Sequence, residues 1–154
     1  MLKRGLVVTL STLVLSGGIA FGASYNPNDW QRTLSFQKLD FKVKDSGSEV
    51  MGPNANYWSA SDENVYIDEK GCLNLNLVKR DNKWYASEVV LPLDLGYGRY
   101  EFRVIGNMDK IDPNVMMSMF LYASDDSEVD LEFSKFKKDS EINQDGNVQF
   151  VVQP

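Results

Sequence analysis

The chain of 154 residues contains no histidine and a single cysteine, Cys72. The lack of histidine excludes Ser-His-Asp and Cys-His catalysis and every metal site with a histidine ligand, so carboxylates are the leading candidates for acid–base work. One cysteine cannot form an internal disulfide, and its strand-like surroundings predict a small buried apolar side chain. The fold must therefore rest on its apolar core.

Basic residues are also scarce, with 16 against 22 acids and a formal net charge of -6. This balance gives no basic patch for nucleic acid and favours a neutral ligand over binding to a membrane surface. The remaining composition, 43% hydrophobic and 25% charged, is typical of one globular domain.

The first 23 residues have the pattern of a signal peptide. Lys3 and Arg4 form a basic start, an apolar core runs from Leu6 to Ile19, and small residues follow up to Ser24. A membrane anchor is the alternative, but the apolar core is short and interrupted by serine, threonine and glycine. We expect a secreted or periplasmic protein with residues 1–23 as signal peptide and 24–154 as mature domain, without stable membrane association after cleavage.

After this segment, short stretches in which apolar and polar residues alternate are separated by turn residues. No stretch with the apolar spacing of a helix is longer than one or two helical turns. This pattern predicts an all-β fold, a sandwich or jelly roll rather than a βαβ protein. The last predicted strand runs to the end of the sequence without a polar tail. Because of this ending, we expect that the chain is cut short and that its fold is incomplete. The predicted strands are Leu34–Val43, Val65–Asp68, Leu73–Val78, Trp84–Val90, Gly98–Ile105, Val115–Tyr122, Glu128–Phe133 and Val148–Gln153.

Three carboxylates, Glu128, Asp130 and Glu132, alternate with apolar residues. In an extended strand they share one face, and such a row raises at least one pKa and costs stability, so it is kept mainly where a ligand or a reaction uses it. Cleavage of a glycosidic bond by two carboxyl groups is the obvious reaction. The outer Cα atoms are about 13 Å apart in a straight strand, whereas a retaining pair needs about 5 to 5.5 Å between carboxyl groups. The alternative is the solvated face of an antiparallel sheet.

Further candidates for sugar binding are Tyr57, Trp58 and Glu88. Tyr57 and Trp58 lie in a loop-like stretch beside asparagines, where either sugar stacking or core closure is expected. Glu88 interrupts an apolar strand, so its carboxylate either lines the same cleft as Glu128 or faces water. The other aromatics of the central region, Trp84, Tyr85, Tyr97 and Tyr100, are predicted to pack inside the fold.

The stretch Glu128–Phe133 resembles the family 16 glycoside hydrolases, the clan of β-glucanases built on a concanavalin-like jelly roll. It fits the family pattern E-[ILV]-D-[IVLF]-E-F. Further segments in the same order extend the resemblance over about residues 58 to 133. These are Trp58, Asn64-Val65, Gly71–Leu75, Ser87-Glu88, Gly96–Val104 and Met119–Tyr122.

The resemblance implies that Glu128 is the nucleophile, Glu132 the general acid/base and Asp130 the residue that orients them. It also implies an endo-acting enzyme that cleaves a β-linked polysaccharide with retention. Together with the signal peptide pattern, we expect a secreted enzyme, and we expect it to be a monomer. No cofactor and no catalytic metal are required, although some relatives carry a structural calcium.

The chain departs from the family at Asp126, where many members have tryptophan, and at Val90, where many have a basic residue. Family members also continue beyond the equivalent of Pro154. The sugar, the linkage, and hydrolysis versus transglycosylation therefore stay open, as do a noncatalytic carbohydrate-binding domain and an inactive fragment.

Overall fold

The computed structural model describes residues 5–10, 14–15, 30–53, 55–124, 126–135 and 148–153. Over these residues the fold is all-β, as predicted, with one short 3₁₀ helix at Met108–Lys110. Within the same ranges, no helix combines the length and hydropathy needed to cross a membrane. The described residues form fifteen strands, which are β1 Gly5–Leu10, β2 Val14–Leu15, β3 Trp30–Phe36, β4 Leu39–Lys44, β5 Tyr57–Trp58, β6 Val65–Ile67, β7 Leu73–Asn76, β8 Val78–Arg80, β9 Lys83–Ala86, β10 Val89–Val90, β11 Gly98–Arg99, β12 Phe102–Ile105, β13 Met117–Ser124, β14 Ser127–Phe133 and β15 Val148–Gln153.

The described residues up to Ile105 form one compact unit, and those from Gly106 onward form a second. The first unit contains a four-stranded sheet in the order β12-β1-β7-β6 and a three-stranded sheet in the order β10-β4-β3. It also contains the sheet β5-β9-β8 and the two-stranded pair β11-β2. The predicted signal peptide includes β1 and β2. Its cleavage stays a prediction and would remove the strand that lies between β7 and β12.

The core of the first unit lies where apolar side chains from β3, β4, β6 and β7 meet. Val43 and Val65 are fully buried, and the rings of Phe36 and Phe41 pack at 6.1 Å between centroids. Cys72 is buried, which confirms the sequence prediction for this side chain. Val43 and Phe41 alternate with charged residues along β4, so the period of two in the sequence selects the core face.

Several strand boundaries predicted from sequence are wrong. The predicted strand Trp84–Val90 is divided into β9 and β10, and Gly98–Ile105 is divided into β11 and β12. The predicted strand Leu34–Val43 is a hairpin, β3 and β4, because Gln37 and Lys38 both adopt positive φ, 52° and 65°, as a two-residue type I′ turn requires. Gln-Lys lacks the usual Asn-Gly signature, so the sequence did not mark this turn. Tyr57–Trp58, read as a loop, is a short strand that pairs with β9 in parallel.

The second unit contains a three-stranded antiparallel sheet in the order β13-β14-β15. Its central strand, β14, is paired on both sides, with Asp130 opposite Phe120 and Val151. Pairing on both sides fixes the register, and a one-residue slip would exchange the two faces. The concanavalin-like jelly roll stays a prediction.

Candidate functional site

The three acids of β14 lie on one face of the central strand of its sheet. Because residues directly opposite each other in an antiparallel pair point to the same side, each acid has two known neighbours on that face. Glu128 lies between Tyr122 and Gln153, and Glu132 lies between Ser118 and Gln149. The acid row is thus bordered by uncharged side chains, with no cation directly opposite any of the three.

The apolar residues between the acids supply the other face. Val129, Leu131 and Phe133 alternate with them and are half-buried. Met119 and Met117, opposite Leu131 and Phe133 on β13, are buried, whereas Leu121, opposite Val129, is exposed. This amphipathic pattern holds the acids in place, because a shift of one residue would place Val129 and Leu131 among the carboxylates and the carboxylates on the apolar face.

Burial and mutual repulsion set the protonation of the row. Asp130 is buried, at 8% exposure, and this burial raises its pKa, while a hydrogen bond with Glu128 works in the opposite direction. Burial also raises the pKa of Glu132, and the negative charge of Asp130 raises it further. Two carboxyl groups that share a hydrogen bond titrate as a pair. The row therefore retains protons at a pH where exposed carboxylates are ionised.

The other predicted residues, Tyr57, Trp58 and Glu88, belong to the first unit. The carboxylate of Glu88 accepts a hydrogen bond from the Lys44 ammonium at 2.8 Å, and these two side chains are only 14% and 11% exposed. Burial raises the pKa of Glu88, and the charge of Lys44 partly offsets that effect. Glu88 thus has a buried partner that the sequence did not predict, because the two residues are 44 positions apart.

Trp58 is enclosed. Its side chain is 7% exposed, its indole Nε1 donates to the carbonyl oxygen of Met51 at 3.1 Å, and the Lys44 ammonium lies 4.3 Å from its ring centroid. Lys44 also donates to the carbonyl oxygen of Gly52 at 2.8 Å. Of the two alternatives left open for Trp58, this packing favours core closure.

Tyr57 is half-buried and packs against Tyr85, with 5.6 Å between ring centroids. The Lys83 ammonium lies 4.5 Å from the Tyr57 centroid.

The prediction that four central aromatics pack inside the fold is wrong for two of them, since Trp84 is 55% and Tyr97 is 64% exposed. Trp84 is on an exposed hairpin strand, where the alternation of the sequence could not tell which face is covered.

Arg80 holds a polar network that sequence reasoning missed. Its guanidinium donates to Ser59 Oγ at 2.8 Å, to Ser61 Oγ at 3.0 Å and to Asn64 Oδ1 at 3.1 Å. Asn64 is fully buried, and its Nδ2 donates to the Asn76 carbonyl oxygen at 3.1 Å. These contacts make Asn64 a structural bridge between segments distant in sequence.

No family model matches the chain, and no curated protein or solved structure matches it. The functional assignment therefore depends on the chemistry of the residues described above. Within the described ranges, no three or more side chains of the types that bind metals form a cluster suited to an ion.

Proposed function

We propose that this protein is a retaining glycoside hydrolase that cleaves a β-linked polysaccharide, with catalysis by the carboxyl groups of β14. The observation that carries the proposal is the acid row itself. Three carboxyl groups share one face of a strand paired on both sides, and the pKa values of Asp130 and Glu132 are raised. A retaining mechanism needs one ionised carboxylate as nucleophile and one protonated carboxyl group as acid. Neighbouring carboxyl groups can fill both roles when their environments give them different pKa values.

The roles follow from the environment of each acid. Glu132 has a raised pKa and retains the proton that a general acid must deliver to the leaving oxygen. Asp130 is the most buried of the three and is hydrogen-bonded to Glu128, so we assign Asp130 the task of orienting its neighbours and Glu128 the role of nucleophile.

The reaction then takes two displacements. Glu128 attacks the anomeric carbon while Glu132 protonates the departing oxygen, which gives a covalent glycosyl ester and a free sugar chain end. Glu132, now ionised, deprotonates a water molecule that attacks the same carbon and releases Glu128. No cofactor takes part in this chemistry. A sugar hydroxyl in place of water would give transglycosylation from the same intermediate.

The stereochemical outcome tests the pair. Retention needs the two carboxyl groups about 5 to 5.5 Å apart, whereas an inverting pair is separated by roughly 6.5 to 9.5 Å. Product anomers observed by NMR early in the reaction should show the β configuration. An α product would indicate an inverting mechanism, in which a water molecule between the two acids attacks the sugar and Glu128 is not the nucleophile.

The decisive experiment is release of reducing sugar by the purified protein from a panel of β-glucan, galactan and xyloglucan. We expect Glu128→Gln to abolish release and Glu132→Gln to slow it by about 10²- to 10⁴-fold, the usual contribution of a general acid. Glu69→Gln is the matched control, since Glu69 is an exposed acid in a turn and should tolerate the change. Equal activity of Glu128→Gln and the wild type would refute the proposal.

A noncatalytic carbohydrate-binding domain is the second candidate, favoured by the exposed rings of Trp84 and Tyr97. Glu128→Gln separates the two functions. Hydrolysis lost with sugar binding retained supports the enzyme, whereas binding without hydrolysis in the wild type and the variant alike supports the binding domain.

A further inference from the structure

The hairpin of β8 and β9 differs in charge from the chain as a whole. Residues 78–86 contain three bases and one acid, whereas the complete sequence has a net charge of -6. Its two-residue turn, Asp81–Asn82, has positive φ at both positions, 46° and 60°, and fixes the register so that Lys79 lies directly opposite Trp84. The hairpin therefore presents a defined basic surface on an acidic protein.

Each base of this hairpin lies against an aromatic ring. Lys79 is 5.7 Å from the Trp84 centroid, the Arg80 guanidinium carbon is 4.4 Å from that of Tyr85, and Lys83 is 4.5 Å from that of Tyr57. Arg80 is half-buried, and its guanidinium is committed to hydrogen bonds with Ser59, Ser61 and Asn64. Lys79 and Trp84 are both exposed and lie on the opposite face of the hairpin.

An exposed indole beside an ammonium group offers two complementary contacts. The indole gives a rigid apolar platform of low conformational entropy, on which the C–H face of a pyranose ring can lie. The ammonium gives an ionic partner for a carboxylate or sulfate on that ring, and its attraction depends on salt. A neutral sugar uses the first contact only, whereas an anionic sugar uses both.

We infer that the Lys79–Trp84 surface binds anionic pyranose units, those carrying a uronate or a sulfate group, of an acidic polysaccharide. This inference takes its ligand class from the proposed function, but it concerns binding, and hydrolysis is not part of it. It also refines the expectation of a neutral ligand that the net charge suggested. The hairpin provides locally the positive charge that the composition lacks overall.

The test is calorimetric binding of three oligosaccharides of equal length, an oligogalacturonate, a sulfated oligogalactan and a neutral β-glucan, to the Glu128→Gln protein, so that no ligand is consumed. At low salt we expect at least one anionic ligand to bind about tenfold more tightly than the neutral one, a difference of 1.4 kcal/mol. Trp84→Ala should weaken binding of that anionic ligand about tenfold. Lys79→Gln should weaken it about threefold at low salt and hardly at all in roughly 0.5 M salt, where exposed charges are screened.

Tyr66→Ala is the matched control, because Tyr66 is an exposed aromatic residue outside the hairpin with no part in either proposed site. Trp84→Phe keeps an aromatic platform and should restore most of the affinity, and thermal melting checks that each variant is folded. The inference is overturned if the neutral ligand binds as tightly as both anionic ligands. It is also overturned if Trp84→Ala binds like the wild type, or if single-stranded DNA of equal charge binds more tightly than either sugar. Separate hydrolysis assays on the wild type show whether the proposed function fails independently.

Discussion

The Lys44–Glu88 ion pair supports the sharpest prediction about stability. Both side chains are nearly excluded from solvent, at 11% and 14% exposure, so screening by water and salt is weak. Lys44→Met keeps the length of the alkyl chain and removes the charge, which leaves the Glu88 carboxylate buried without its cation. Breaking a buried pair from one side costs about 3 to 5 kcal/mol.

That cost is large against the total of about 5 to 15 kcal/mol that stabilises a domain of ordinary size. The variant also loses the Lys44 bond to the Gly52 carbonyl oxygen and the contact with the Trp58 ring. We therefore expect urea denaturation at pH 7 to show a loss of about 4 kcal/mol for Lys44→Met. Lys42→Met is the matched control, because Lys42 donates to Thr33 at an exposed position, and its change should stay within about 0.5 kcal/mol.

Two further measurements separate charge from packing. The double variant Lys44→Met, Glu88→Leu has no buried charge left and should regain most of the lost stability, as apolar replacements of buried pairs do. Lowering the pH should also reduce the cost of Lys44→Met, because Glu88, with its raised pKa, is then neutral. A loss below about 1 kcal/mol at pH 7, or a loss that does not change with pH, would refute the reasoning.

Three other outcomes are expected. The raised pKa of Glu132 means that the native state holds a proton that the unfolded chain releases near pH 4. The wild type should therefore lose stability relative to Glu132→Gln as the pH rises from about 4, and thermal melting that shows the opposite trend would contradict this sign. Val43→Ala removes fully buried methyl groups and should cost roughly 2 to 3 kcal/mol in urea denaturation, whereas Val50→Ala, at 46% exposure, should cost less than about 0.5. Phe150→Lys places a charge on β15, where Phe150 is 68% exposed, and should lower the rate of aggregation measured by light scattering. An unchanged rate would mean that β15 does not template association.

The acid row shows how much of the site could be read from local sequence. A strand has a period of two, so alternation alone predicted that Glu128, Asp130 and Glu132 share a face, and the register of β14 confirms it. The close spacing of like charges in the sequence also predicted that at least one acid has a raised pKa. Only the fold showed that burial is the larger cause of the raised pKa values of Asp130 and Glu132. The predicted roles in catalysis stay predictions.

Local sequence determined the strand class of the chain, the buried face of β4, the division of β14 into an acidic and an apolar face, and the turn at Asp81–Asn82, because each depends on neighbours within a few residues. Tertiary structure alone decided the partner of Glu88 and the exposure of Trp84. Glu88 meets Lys44 through pairing of β4 with β10, a contact across 44 positions that no local pattern encodes. Trp84 is exposed because burial depends on what another segment places over a face, and periodicity identifies faces without saying which of them is covered.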